Sequence, residues 1–76
     1  MEVFFRFEGF MERMARIDSA IDILRYRHPC YELSSMSAEY VFSKISAMFG
    51  INELTSDEQE YIKMRFSKEG VDISKW

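Results

Sequence analysis

His28-Pro29-Cys30 is where this 76-residue chain sets an imidazole and a thiol close together. A thiolate can bind metal or attack an electrophile, and an imidazole can share the metal or take the thiol proton. A structural zinc site needs four such ligands, but the chain holds one cysteine and one histidine. A Cys-His nucleophile needs a third group to orient the base, and the sequence around Pro29 designates none. A positive group ending a helix and a small buried thiol account for both residues more simply. The carboxylate pairs Asp18 with Asp22 and Glu58 with Glu60 have the spacing of solvated helix faces. Beside Arg25, Lys63 or Arg65 they read as surface ion pairs. The three glycines are isolated, so no phosphate-cradling loop is present. No catalytic, cofactor-binding or metal residue is assigned, and the expectation is a non-enzymatic protein with no cofactor and no small-molecule substrate.

The elements that must carry these residues are helices. Phe7, Phe10, Met14, Ile17, Ile21 and Leu24 recur at alternating steps of three and four, which keeps an apolar stripe on one side of a helix. The spacing predicts a helix over about 10–27, because Gly9 weakens an earlier start and Pro29 forces an end. Arg25, Arg27 and His28 suit the negative end of its dipole. Residues 1–7, with Val3, Phe4, Phe5 and Phe7, read as an apolar arm. After a connector over 31–37, whose serines compete to cap, a second helix is expected over about 36–49. Its stripe is Ala38, Val41, Phe42, Ile45, Met48 and Phe49; Gly50 ends it in the left-handed conformation, and Ile51 folds back on Ile45. Thr55-Ser56-Asp57-Glu58 has the form of a capping box opening a third helix over 56–68, closed by Gly70. Val71, Ile73 and Trp76 then form a short tail that packs back or begins a helical turn.

The fold class is therefore all-α: one domain over 1–76, a small three-helix bundle with an apolar N-terminal arm and a short C-terminal tail or helical turn. A composition 47% hydrophobic and 16% aromatic is too apolar for a disordered chain. So short a chain, with no disulfide available to Cys30, has a core that only just offsets the entropy of folding, and oligomerisation is the obvious aid. The formal net charge of -3 gives no pull toward a phosphate backbone. Residues 1–30 hold five arginines against five acids, and residues 31–76 five basic against eight acidic groups. The start Met-Glu-Val-Phe-Phe-Arg lacks the basic opening of a secretory signal, and no apolar run approaches the ~20 residues that span a bilayer. A cytoplasmic location is the default expectation, with no membrane role.

Each helix also carries apolar residues off its stripe. Ile23 and Tyr26 lie roughly opposite the first stripe, Met36 and Tyr40 opposite the second, and Tyr61 and Met64 away from Ile62 and Phe66. Helices of this length bury one stripe each in a monomer, so a second covered surface is expected. The internal methionines at 11, 14, 36, 48 and 64 suit core gaps or an adaptable surface equally. The expected partner-binding residues are Ile23, Tyr26, Met36 and Tyr40, with Phe4, Phe5 and Trp76 as anchors. The competing reading is nucleic-acid binding through Arg6, Arg13, Arg16, Arg25 and Arg27, which scatter around the helix and are interrupted by Asp18 and Asp22.

The stretch Leu54-Thr-Ser-Asp-Glu-Gln-Glu-Tyr-Ile-Lys-Met-Arg-Phe-Ser-Lys-Glu-Gly70 resembles the start of the region-4 helix-turn-helix of sigma factors and sigma-like phage regulators. A Leu-Thr, a Glu, an Ile, a Leu/Met-Arg-Phe/Tyr and a Gly recur there in this order. Val71-Asp72-Ile73-Ser74 would begin the next helix, but the sequence stops at Trp76, before a recognition helix. The resemblance implies a bacterial or phage regulatory origin without direct sequence-specific DNA binding. The function expected is a small regulatory protein-protein interaction module that binds another protein, itself, or both. The alternative is a helix-turn-helix transcription regulator fragment.

Overall fold

The computed structural model describes the backbone of residues 2–50 and 53–76, and the side chains of 12–48, 50 and 53–76. Four α-helices follow in order: α1 (Glu2–Arg27), α2 (Cys30–Ser35), α3 (Ala38–Phe49) and α4 (Ser56–Lys68). There is no strand among the described residues. The all-α class holds, and the three-helix detail is corrected in two places. The segment expected to be an arm belongs to α1, whose helical backbone runs through Gly9. One glycine costs about 1 kcal/mol, which the rest of a 26-residue helix can absorb. The expected connector contains α2, where Pro29 starts a new helix and its carbonyl accepts N–H bonds from Glu32 and Leu33, both at 3.1 Å.

The helix ends follow from local chemistry. Ser37 caps α3 by accepting the Tyr40 N–H at 3.1 Å. Met36 therefore lies outside that helix, as the last residue capping α2. Gly50 closes α3 at φ 64°, while Ile51 lies outside the described residues. The capping box of α4 is complete: Thr55 Oγ1 accepts the Glu58 N–H at 3.2 Å, and Glu58 Oε1 accepts the Thr55 N–H at 2.9 Å. At the other end, Val71 N–H reaches Phe66 O at 3.0 Å and Gly70 N–H reaches Ser67 O at 3.1 Å, a Schellman closure around Gly70 at φ 97°. A Cβ at Gly70 would meet only Cys30 Sγ, at 3.6 Å, so Gly70→Ala strains the backbone rather than the packing. It is expected to lower unfolding stability by about 1–2 kcal/mol in urea titrations with an unchanged m-value.

The core joins Ile17, Ala20, Ile21 and Leu24 of α1 to Leu33, Val41, Ile45, Leu54, Ile62, Phe66 and Val71. The tail forms no further helix. Val71 is buried, Ile73 and Trp76 pack against the core, and a single turn links Trp76 N–H to Ile73 O at 3.0 Å.

Four polar bridges show how α1 and α4 run. Arg13 meets Glu58, Asp18 meets Tyr61 and Arg65, Asp22 meets Arg65, and Arg25 meets Glu69. Both numbers rise together, so the two helices are parallel and in a pinned register. At 1.5 Å per residue α1 is about 39 Å long, against about 18 Å for α3 and about 20 Å for α4. The molecule measures 45 × 20 × 19 Å, its long axis set by α1.

Candidate interaction surface

The position of Arg13 defines where the bundle stops along α1. Its Nε and Nη2 donate to the two carboxylate oxygens of Glu58 at 2.9 and 2.8 Å, and Nη2 also reaches the Glu53 carbonyl at 3.1 Å. Glu58, only 6% exposed, is the buried charged residue among those described. The Arg13 hydrogen bonds hold its carboxyl below the usual carboxylate range, against the effect of burial and with help from Thr55 N–H, and Glu58 in turn raises the Arg13 guanidinium. Because Arg13 sits level with the first turn of α4, α1 residues 2–10 run on past the start of that helix, by about 14 Å. α3 spans only about 18 Å against about 39 Å for α1. The sequence places Val3, Phe4, Phe5, Phe7 and Phe10 on this projecting backbone.

Where the projection leaves the bundle, a cavity of about 500 Å³ opens between α1 and α4. Arg13, Met14, Thr55, Asp57, Glu58 and Tyr61 line it. The Tyr61 ring and Met14 are its apolar walls, since the Tyr61 hydroxyl is engaged in donating to Asp18 Oδ1 at 2.6 Å. Asp57 is an exposed acid at its rim, whereas Glu58 is already neutralised. A shallower hollow of about 380 Å³ lies between α3 and the start of α4, beside Glu39, Phe42, Glu53 and Leu54.

The residues expected to bind a partner divide among these regions. Phe4 and Phe5 lie on the projecting turns of α1, with side chains outside the described residues. Tyr26 is 93% exposed and Tyr40 49%, the latter with Lys44 Nζ 5.5 Å from its ring centre. Tyr31, on α2 and not singled out by periodicity, is 78% exposed. Ile23 is half-buried. Met36 and Trp76 turn inward instead. Met36 packs on the core from outside α3, so it shares no helix face with Tyr40, and Trp76 sets its ring edge-on to Phe66 and Phe42 at 5.3 and 6.5 Å. Trp76 Nε1 is buried without a hydrogen-bond partner.

Three of the arginines proposed as a basic stripe are tied to acids. Arg13 pairs with Glu58, Arg16 with Glu12 at 2.6 Å and Arg25 with Glu69 at 3.2 Å; Arg27 is exposed, and the Arg6 side chain lies outside the described residues. Arg65, which sequence spacing marked only as a surface charge, gathers Asp18 at 2.5 Å, Asp22 at 3.3 Å and Glu69 at 3.2 Å. Its guanidinium is held protonated by Tyr61, Glu69 and Asp18. His28 pairs with Glu32 across Pro29, and Cys30 Sγ donates to the Glu69 carbonyl at 3.4 Å. The two thus brace the α1–α2 junction and have separate partners. No cluster of three or more metal-binding side chains occurs among the described residues. Nor is any described helix long and apolar enough to cross a membrane.

Comparison with protein-family models, curated proteins and solved structures found no match. Function must therefore be read from the surface itself.

Proposed function

We propose that the chain is a small helical protein-protein interaction module of regulatory type, working through the projecting N-terminal turns of α1. The observation that carries this reading is the mismatch in length between α1 and the helices packed on it. A projecting helix of two or three turns gains little from intrinsic propensity, and phenylalanines on it lower the free energy only when something covers them. The projecting turns carry Glu2 and Glu8 against Arg6 alone, which supports a protein contact over an anionic surface. The exposed Tyr26 and Tyr40 supply a separate, smaller apolar contribution at the other end of the bundle.

Two double variants of the full chain test the reading. Phe4→Asp/Phe7→Asp should abolish capture of protein partners from host extract, including further copies of the chain, while leaving the melting temperature within a few degrees. Tyr26→Asp/Tyr40→Asp should reduce capture less. Full capture and full self-association by both double variants would defeat the proposal.

A further inference from the structure

We propose that residues 71–76 form a strap that opens and closes over one end of the core as a single unit with α2, while α1, α3 and α4 stay packed. The strap lies at the end of the bundle away from the projecting turns, because Glu69, just before it, meets Arg25 near the end of α1. It has no helix of its own and touches three elements. Val71 is buried, the Asp72 N–H donates to Ser34 Oγ of α2 at 2.9 Å, and the Trp76 ring rests edge-on against Phe42 of α3 and Phe66 of α4. The Ser74 and Trp76 N–H groups bond within the strap itself, to Asp72 Oδ1 and Ile73 O, both at 3.0 Å. Asp72, Ser74 and Lys75 are exposed.

α2 depends on the strap as much as the strap depends on α2. Six residues are too few for a helix to persist unaided. Leu33 seats it in the core, and Cys30 and Ser34, four residues apart on one face, hold the strap and its hinge. Ser34 Oγ donates to Cys30 O at 2.8 Å while accepting the Asp72 N–H, so one hydroxyl serves both elements. Cys30 Sγ bonds the Glu69 carbonyl and lies 3.6 Å from where a Cβ on Gly70 would stand. The other helices have ties of their own: α1 packs on α3 and on α4, with Arg13–Glu58 and Asp18–Arg65 bridging α1 to α4. Closure of the strap also carries a penalty. Trp76 Nε1 is buried with no acceptor among the described residues, and an unpaired buried N–H bears the full cost of its lost hydration. Opening rehydrates it, which places the strap among the less stable local units rather than with the core. The open form uncovers Phe42, Phe66 and the seat of Leu33, an apolar face that the closed form hides.

Hydrogen exchange followed by NMR on the full chain tests this. The Trp76 indole N–H reports the strap, since burial alone protects it. The Leu33 and Met36 amides, bonded to Pro29 O and Leu33 O at 3.1 Å each, report α2, and the Ile21 and Ile62 amides report the packed frame. Strap and α2 should share one opening constant, at least about 10-fold larger than that of the frame. Ser34→Ala removes the acceptor of the Asp72 N–H and leaves Leu33 and Trp76 in place. It should raise the shared constant about 5-fold and leave Ile21 and Ile62 unchanged. Exchange of the indole or of the α2 amides at the frame's rate would overturn the proposal. So would a Ser34→Ala effect confined to the indole, the result of a tail that frays alone, or one that reaches Ile62 equally, the result of a molecule that opens only as a whole.

Discussion

Phe66→Ala is expected to leave the protein largely unfolded at 37 °C. Phe66 is fully buried, takes the edge of the Trp76 ring at 5.3 Å, and supplies the carbonyl that closes the Schellman motif under Val71. Truncating such a side chain costs about 3–5 kcal/mol, from lost transfer free energy and the cavity left behind. A domain of this size has a total stability of only about 4–11 kcal/mol. The variant should also release Trp76, so its fluorescence should shift to the red and its near-ultraviolet dichroism collapse while part of the helical signal persists. Retained native fluorescence with a loss below about 1 kcal/mol would show that the tail is not packed as described.

Glu58→Ala should be the most damaging polar substitution. It removes one arm of the capping box and leaves the Arg13 guanidinium without its bidentate acceptor, for a combined cost of about 2–3 kcal/mol. The value lies below that of a fully buried ion pair because the Arg13 side chain remains 37% exposed. Glu58→Gln can still form the capping box, so it isolates the charge and should cost less. The pH dependence has a definite sign. The folded-state pKa of Glu58 is depressed, so its stabilising contribution is fully present above the unfolded value near about 4.3 and is lost as pH falls through the lower folded value. Wild-type stability should therefore decline below about pH 4.3, and in Glu58→Gln that decline should be shallower. Parallel pH profiles for the two proteins would remove Glu58 from this role.

Much of the architecture was legible because it is local. The serine and threonine caps, the two helix-ending glycines and the three-four spacing act within a turn or two, and the helices they bound are those observed. Two readings missed. Gly9 is a breaker by propensity, yet that is a small term beside the rest of α1. Pro29 does end α1 at Arg27 as expected, but the connector after it forms α2, with Leu33 buried. Off-stripe residues were a mixed guide. Tyr26 and Tyr40 do lie outward, but Met36 and Trp76 turn in, because their positions depend on the α2 turn and the tail rather than on a helix wheel.

By itself the sequence determined that this protein is helical, where α4 begins and ends, and that α3 closes at Gly50. Only the tertiary structure decided that α1 and α4 run parallel, that Arg13 and Glu58 set their register, and that α1 therefore outlasts its neighbours. Those facts come from pairs some forty residues apart, such as Arg13 with Glu58 and Asp18 with Arg65. No periodicity within one helix encodes which charge on another it will meet.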